Sequence, residues 1–300
     1  MDKQKELQAS LDELQRITGL KFQMAYQNPE EIDDTLQRLR QLSGAYKEKY
    51  NKNYFLQGLM EGNISAIDAQ VHAEKLHINL EETRLLFLIE TKSDAAALIV
   101  EILKGLFPLQ NKNYIVQMNN HSVVLLRPCK CKNNGEEARA VADTIVDTVN
   151  AEAMSQVHVS CSALFEDISE LKEVYQSAEL AMRIGTLFYP EQMVISYSKM
   201  GTGRLIYQLP VELCEDYLHE IFGTEVPDRI DEETQVTINK FFRYNLNIAE
   251  TSRQLHMHRN TLIYRIEQIE KRTGLDIRRF EDAMTFKIAM MVINYLDSRL

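Results

Sequence analysis

The stretch that most constrains the fold is residues 247–275, which read NIAETSRQLHMHRNTLIYRIEQIEKRTGL. Asn247 is a favourable N-cap for a short helix ending near Leu255, because its side-chain oxygen can accept a hydrogen bond from the first helical turn. A second helix is predicted from His258 until Gly274, which can adopt the left-handed conformation that ends a helix. Such closely spaced helices predict a helix-turn-helix unit.

The second helix has two distinct faces at 100° per residue. One side is apolar and is predicted to form a small core with the end of the first helix: Leu255, Met257, Leu262, Ile266 and Ile269. The other side is polar and points away from that core: Asn260, Tyr264, Glu267 and Gln268. A helix-turn-helix presents such a face, near the N-terminal end of its second helix, to the major groove of DNA.

The residue types on this outward face suit contacts with bases and phosphates. Asn260 and Gln268 can bond adenine through two hydrogen bonds, and Tyr264 can contact a thymine methyl group or a phosphate. Arg259, Thr261 and Arg265 lie on the flanks, where phosphate contact is the more natural role. The predicted partner is therefore double-stranded DNA. The predicted contact residues are Arg259, Asn260, Thr261, Tyr264, Arg265 and Gln268.

Charge is distributed unevenly along the chain. The whole sequence has 34 Lys and Arg against 44 Asp and Glu, a net charge of −10. Residues 240–279 instead carry nine basic and four acidic side chains, a net charge of +5. A basic segment on an acidic protein attracts phosphates locally, while the rest of the surface resists indiscriminate binding to nucleic acid. The alternative is a structural helical hairpin whose charged residues only face water.

Three short motifs stand out within residues 247–275: His258-Arg259-Asn260-Thr261-Leu262, Tyr264-Arg265 and Thr273-Gly274-Leu275-Asp276. They resemble the C-terminal helix-turn-helix of the PucR/CdaR family of bacterial transcription regulators. The family usually has two alanines where this chain has Thr251 and Ser252, so a slightly different packing of the first helix is expected. A weaker resemblance extends upstream to about Tyr54.

The resemblance implies a regulator of a metabolic operon. It also implies a central GGDEF-like domain and a small-molecule effector, such as a sugar acid or a purine breakdown product, for which the sequence names no pocket residue. Bacterial helix-turn-helix proteins commonly read two half-sites as dimers, so a homodimer or higher homo-oligomer is expected.

The middle of the chain reads as alternating strands and helices. The predicted strands are 84–90, 113–118, 122–126, 157–163 and 193–196, and the predicted helices are 95–106, 136–154 and 168–184. Ser93 and Asp94 are expected to cap the first of these helices. The order β-α-β-β-α-β-α-β predicts a ferredoxin-like or nucleotide-cyclase-like α+β sandwich, followed by an all-α helix-turn-helix domain and preceded by N-terminal helices.

A nucleotide-cyclising enzyme is the alternative function, because this element order is also that of a GGDEF-like cyclase. Such an enzyme needs paired glycines at the hairpin tip and acidic residues that hold magnesium. The tip here reads Gln117-Met118-Asn119-Asn120-His121, with no glycine and no acid, and Glu90 is a single candidate ligand. The sequence therefore predicts no catalytic residue and no enzymatic activity.

Other candidates for chemistry are weak. Cysteines 129, 131, 161 and 214 show no disulfide or zinc-ligand pattern, so free thiols in a reducing cytoplasm are expected. The two histidine pairs, 72 with 77 and 256 with 258, have no carboxylate or cysteine ligands beside them, so no metal or other cofactor is predicted. The N-terminus lacks an apolar signal core, and no apolar run can span a bilayer, so no membrane partner is expected.

The N-terminal part is predicted to be helical. Residues 3–18 form one amphipathic helix, and a longer helix from Glu30 into the 50s carries an apolar seam that can face either a second copy or its own domain. Gly201-Thr202-Gly203 is interpreted as a linker. Four parts are expected: an N-terminal helical segment at 1–76, a GGDEF-like domain at 77–200, a helical connector at 201–230 and a helix-turn-helix domain at 231–300.

Overall fold

The structure is a computed structural model. It describes residues 2–18, 21, 32–50, 52–79, 81–108, 112–129, 134–196, 200–224, 226–227 and 231–299. The chain forms two units. The first consists of Met1–Met182 and Met193–Tyr197, and the second of Arg183–Gln192 and Ser198–Leu300. No helix within the described ranges is both long and apolar enough to cross a membrane.

The described part of the first unit is an α+β structure with a six-stranded sheet. Its strands are β1 (Glu81–Thr91), β2 (Tyr114–Gln117), β3 (Ser122–Pro128), β4 (Val157–Cys161), β5 (Phe165–Asp167) and β6 (Val194–Ser196). The helices up to β6 are α1 (Asp2–Thr18), α2 (Ile32–Tyr50), α3 (Lys52–Glu61), α4 (Ala66–Lys75), α5 (Ala96–Leu106), α6 (Asn134–Ala153) and α7 (Leu171–Phe188). The predicted order of strands and helices is confirmed, with β5 as a short additional strand.

The sheet is built around β1. The strand order is β2-β3-β1-β4-β6, with β5 also paired to β1. β1 runs antiparallel to β3 and β4, with Leu88 opposite Val124 and Ser160, whereas β4 and β6 are parallel. β1 has neighbours on both edges, so its residues are removed from solvent: Leu85, Leu86, Phe87, Leu88 and Ile89 are all at most 2% exposed.

The main core lies on one face of this sheet. Leu85, Phe87 and Ile89 point to the same face because side chains alternate along a strand. They belong to one buried cluster with residues of α5 and α6, among them Ile99, Leu103, Ala142, Ile145 and Val149. The apolar stripes of the two helices therefore cover this face of the sheet.

The expected cap of α5 is different in the structure. The N-cap is Ala95, which makes no side-chain capping hydrogen bond, so the prediction that Ser93 and Asp94 cap this helix is wrong. The backbone N–H of Ala96 instead donates to the carbonyl oxygen of Asn120 at 3.2 Å. A first-turn donor is thus satisfied by the β2–β3 hairpin, which a local sequence pattern does not reveal.

The apolar seam of α2 packs within the chain. Leu36 and Leu39 form a buried cluster with Leu7, Leu11 and Leu14 of α1. The structure therefore supports the second of the two alternatives for this seam, in which the helix packs on its own domain.

The second unit is helical. Its helices after β6 are α8 (Gly201–Ile206), α9 (Val211–Phe222), α10 (Glu232–Arg243), α11 (Ile248–Gln254), α12 (Arg259–Thr273) and α13 (Phe280–Asp297). The interpretation of Gly201-Thr202-Gly203 as a linker is wrong, since these residues begin α8. A Cβ atom on Gly203 would lie 3.0 Å from Phe188 and 3.1 Å from Ile184, so close packing explains this glycine.

Candidate DNA-binding surface

α11 and α12 form the predicted helix-turn-helix. Asn247 caps α11, accepting a hydrogen bond at 3.0 Å from the backbone N–H of Glu250. The turn contains His256 in the left-handed region, with a φ of 50°. Gly274, with a φ of 72°, ends α12 and donates its backbone N–H to the carbonyl of Glu270. Both predicted end signals are confirmed.

The apolar face of α12 is buried as the helical periodicity predicted. Leu262, Ile266 and Ile269 are at most 8% exposed. They share a core with residues of α10, α13 and the segment between α12 and α13, including Ile238, Phe241, Ile277, Ala283 and Phe286. Met257 packs against this core, and Leu255 is half-buried. Burial of these residues fixes which side of α12 faces solvent.

The polar face at the start of α12 is open to solvent. Arg259, Asn260, Thr261 and Tyr264 are exposed, Tyr264 by 60%, and Gln268 is half-buried. The exposed residues occupy the first turn and a half of α12. This is the part of a recognition helix that reaches base edges in the major groove.

Arg265 is held differently from the other predicted contact residues. Its Nη1 donates to the hydroxyl oxygen of Thr237 at 2.7 Å, and its Nη2 pairs with the carboxylate of Glu233. The Arg265 side chain is only 26% exposed, and Thr237 is buried. This arginine therefore links α12 to α10.

Many of the basic residues that made residues 240–279 positive are paired with acids. Arg253 contacts Glu250 at 2.7 Å, and Arg278 contacts Asp276 at 2.6 Å. The same is true of other arginines of this segment: Arg243 with Glu191, Arg265 with Glu233 and Arg279 with Asp282. Among the acids that the structure describes, none forms an ion pair with Arg259. Its charge is thus the one most directly available at the start of α12.

The comparisons with known proteins agree with this geometry. Residues 236–292 match the PucR C-terminal helix-turn-helix domain, and residues 61–184 match a GGDEF-like domain. Over these two regions the chain is similar to regulators of the PucR/CdaR family. The members of this family that it resembles include the carbohydrate diacid regulator of Escherichia coli, which is 22% identical over 73% of this chain and 60% of that protein.

Other similar proteins are more distant or cover less. The purine catabolism regulatory protein of Bacillus subtilis is 22% identical over 47% of this chain and 27% of that protein. The crystal structure of a regulator of polyketide synthase expression from Bifidobacterium adolescentis is 15% identical over 81% of this chain and 97% of that chain, with a TM-score of 0.35. The chain thus spans about 60% of the length of the Escherichia coli regulator and 27% of the length of the Bacillus subtilis protein.

The departure from the family's alanine pair has a structural consequence. Thr251 is completely buried, and its hydroxyl has no hydrogen-bond partner among the described residues. Ser252, also buried, donates its hydroxyl to the carbonyl of Ala249 at 3.0 Å. The hydroxyl of Thr251 therefore lowers the stability of the folded state, because a buried polar group without a partner loses its hydration and forms no hydrogen bond in its place.

Thr251→Val is expected to stabilise the second unit by about 1 kcal/mol, because it replaces an unpartnered hydroxyl by a methyl group of similar size. Thr237→Val is the matched control. The hydroxyl of Thr237 donates to the backbone carbonyl of Glu233 and accepts from Arg265, so its loss should destabilise the protein. Urea unfolding of the two variants measures both effects. A destabilised Thr251→Val protein would contradict this account of the family difference.

His258 has a structural role that the sequence did not specify. It is the N-cap of α12, and its Nδ1 accepts the backbone N–H of Asn260 at 3.2 Å. The second helix was predicted to begin at His258, but no capping role was expected of it, because histidine is not among the preferred N-cap residues. The side chain therefore fixes the backbone of a predicted base-contacting residue.

His258→Ala is expected to reduce the free energy of unfolding by about 1 kcal/mol, because the first turn of α12 loses its capping acceptor. His258→Ser should restore most of this loss, since serine is a preferred N-cap. Thermal unfolding followed by circular dichroism compares the three proteins. Equal stabilities of the alanine and serine variants would show that the hydrogen bond to Asn260 contributes nothing.

Three carboxylates of the second unit link its stability to pH. A hydrogen bond from Thr234 lowers the pKa of Asp231, the N-cap of α10, below its usual 3.8. Hydrogen bonds from Arg278 and Arg253 similarly lower the pKa of Asp276 and of Glu250. Because each pKa is lower in the folded than in the unfolded state, the resulting stability is complete above the ordinary carboxyl range and decreases as pH falls through the native values.

We therefore expect the free energy of unfolding to fall as pH decreases below about 4. Asp231→Asn should make this fall shallower, because asparagine keeps an N-cap oxygen but has no proton to bind. Urea unfolding between pH 3 and 6 tests this, with exposed Glu267→Gln on α12 as the control substitution. An unchanged pH profile in Asp231→Asn would contradict the assigned cause.

In a GGDEF-like cyclase the hairpin tip takes part in binding the nucleotide. His121 lies 3.4 Å from Asp94 and its Nδ1 is 3.2 Å from the carbonyl oxygen of Ser93, so the tip is tied to the start of α5. Glu90, the single candidate magnesium ligand, is half-buried near the end of β1. No group of three or more potential metal ligands occurs in the described part of the chain.

Three cysteines are described by the structure, and all three are buried: Cys129, Cys161 and Cys214. Burial raises the pKa of Cys161 to about 12, so this side chain stays a protonated thiol, which is neither nucleophilic nor a metal ligand. Cys131 lies outside the described residues.

Proposed function

We propose that this chain is a sequence-specific DNA-binding transcription regulator of a metabolic operon. The observation that carries this proposal is the exposed N-terminal face of α12, with Arg259, Asn260, Thr261 and Tyr264 presented together beside a buried apolar face. The two matched family domains and the regulatory relatives support the same conclusion. A regulator of this kind acts on the chromosome, so the cytoplasm is part of the proposal.

The roles of the contact residues follow from their chemistry. Asn260 and Tyr264 read base edges in the major groove, with Gln268 one turn further along α12. Arg259 and Thr261 contact phosphates. Arg265 retains its predicted phosphate role only if it can leave Glu233 and Thr237; otherwise it positions α12 against α10. The two roles of Arg265 predict opposite effects of Glu233→Gln on DNA binding.

The regulator acts as a homodimer or a higher homo-oligomer. Two copies of α12 can enter successive major grooves about 34 Å apart, which doubles the number of base contacts. The first unit would mediate assembly or relay a signal without catalysing a reaction. Because the relatives include a carbohydrate diacid regulator and a purine catabolism regulatory protein, a small metabolite from sugar-acid or purine breakdown is the proposed class of effector.

Selection of genomic fragments by the purified protein tests this function. Fragments recovered in repeated rounds should bind at least about a thousand-fold more tightly than random duplex at physiological salt, and log K should fall linearly with log salt concentration. Equal affinity for selected and random duplexes would contradict sequence-specific recognition. Absence of binding at low ionic strength would contradict DNA binding altogether.

The cyclising alternative has its own test. Incubation of the protein with GTP and Mg²⁺ should leave the nucleotide unchanged, because the hairpin tip offers neither glycines nor acids to the phosphates and metal. Formation of a cyclic dinucleotide, detected by chromatography, would overturn the assignment of the first unit as a non-catalytic module.

A further inference from the structure

A cavity of about 420 Å³ lies within the second unit, on the side of α10 and α13. Its lining includes Phe242, Leu246, Phe280, Met284, Lys287 and Met291. Phe280 is 69% exposed and Met284 45% exposed, so the cavity opens to solvent at the start of α13. A volume of this size is in the range of sites that bind small ligands.

Most side chains that line the cavity are apolar, and one of the few polar side chains carries a charge. Lys287 is the only charged residue among the described residues that line the cavity. Its ammonium group lies 5.6 Å from the centroid of the Phe242 ring, within the range of a cation–π contact. The aromatic wall therefore holds the ammonium group beside the apolar space.

Lys287 has no acidic partner in the described part of the chain, although the protein carries an excess of ten negative charges. Other basic side chains of this unit, such as Arg243 and Arg278, are matched with carboxylates. An unpaired ammonium next to an apolar cavity complements a ligand with one anionic group and an apolar body. A ligand with several hydroxyl or carboxylate groups would lose hydration against these walls.

The cavity also touches the chain that leads into α11. Asn245 and Leu246 line it and both adopt left-handed backbone conformations, with φ of 53° and 62°. This conformation is unfavourable for leucine. The next residue is Asn247, the N-cap of α11. A ligand that contacts Leu246 thus acts on the turn that sets the direction of the helix-turn-helix.

We propose that the cavity binds a small amphipathic monocarboxylate, with its apolar body between Phe242 and Met284 and its carboxylate paired with Lys287, and that occupancy alters DNA affinity through the Asn245–Leu246 turn. The coupling rests on the proposed function, whereas the binding site does not. This ligand class differs from the hydrophilic sugar acids and purine products considered above.

Isothermal titration of the full chain with sodium decanoate, without DNA, tests the site. We expect one saturable site per chain with a dissociation constant on the order of 0.1–1 mM, as suits a ligand with few heavy atoms. Lys287→Gln should weaken binding about ten-fold or more, and Met284→Glu should abolish it by placing a carboxylate at the opening. Lys271→Gln, an exposed lysine on α12 outside the lining, is the matched control and should bind normally.

Both key substitutions are at exposed positions, and unchanged thermal unfolding verifies that each variant is folded. Absence of saturable binding to the wild type would overturn the proposal. Unchanged binding in both Lys287→Gln and Met284→Glu would also overturn it. Sedimentation tests a third outcome. A dimer that does not bind decanoate and that Met284→Glu dissociates would overturn the proposal, because a second copy of the chain would then occupy the cavity.

Operator titrations with and without saturating decanoate test the coupling. We expect a change in operator affinity of at least about three-fold in the wild type and no change in Met284→Glu. Decanoate binding with unaltered operator affinity would support the binding site but overturn the proposed coupling to DNA binding. A protein that binds decanoate but no DNA would contradict the proposed function and, with it, the coupling, while the site would stand.

Discussion

Replacing Asn260 by alanine is expected to relax the preference of the protein at one base pair of its operator, at a cost of about 1–3 kcal/mol on the preferred sequence. Asn260 is exposed in the first turn of α12, and its side chain can bond adenine through two hydrogen bonds. Binding to random duplex should change little. Fluorescence anisotropy with operators altered at single positions identifies the base pair whose identity no longer matters.

Arg259→Ala is the matched comparison at the adjacent residue. Because Arg259 is an exposed cation without an ion-pair partner among the described residues, its loss should weaken binding to specific and random duplexes alike. The slope of log K against log salt should decrease in magnitude by about one. If the two variants lost affinity equally on both kinds of duplex, the division between base and phosphate contacts would be wrong.

Arg265→Ala is expected to have a large effect on stability as well as on DNA binding. The substitution removes the donor to the buried hydroxyl of Thr237 and the charge opposite Glu233. Because Glu233 is 74% exposed, solvent screening limits the contribution of the ion pair, and a loss of about 1–2 kcal/mol in the free energy of unfolding is expected. Urea unfolding measures it.

Glu233→Gln separates the two roles of Arg265. If Arg265 positions α12, this variant should lose some operator affinity although the glutamine lies outside the predicted contact surface, and the salt slope of Arg265→Ala should be unchanged. If Arg265 instead contacts phosphate, removing Glu233 should free it and strengthen DNA binding. An unchanged stability of Arg265→Ala together with a lower salt slope would contradict the positioning role.

The helix-turn-helix could be predicted from sequence because its signals are local. The cap at Asn247, the end at Gly274 and the stripe Leu262–Ile266–Ile269 are each specified within a few residues. The order of strands and helices in the first unit was predictable for the same reason. In β1, however, Leu86 and Leu88 are buried as fully as Phe87 and Ile89, so alternation did not show which face holds the main core.

The remaining features depend on partners far away in the chain. Arg265 was assigned to phosphate because its residue type and helical position suit that role, but its observed partners are 28 and 32 residues distant. The net charge of residues 240–279 likewise could not reveal that Arg243 is paired with Glu191. The sequence around α5 likewise did not indicate that the backbone carbonyl of Asn120, in the hairpin, accepts a hydrogen bond from the start of α5. Tertiary contacts of this kind have no local signature.

The capping role of His258 and the cavity beside Lys287 were missed for different reasons. Histidine at an N-cap is uncommon, so the preference that identified Asn247 did not identify His258. The cavity is lined by residues of several separate elements, including Thr202, Phe242 and Met291, which no motif connects.

The most direct test of the major-groove assignment is a scan of the operator with 7-deazaadenine, which removes the major-groove N7 acceptor without altering base pairing. With the wild type, one adenine per half-site should lose about ten-fold in affinity when substituted. With Asn260→Ala, substitution at that adenine should have no further effect, because the hydrogen bond is already absent. If no position loses affinity, or if the losses from the protein and the DNA substitutions simply add at every position, Asn260 does not read an adenine in the major groove.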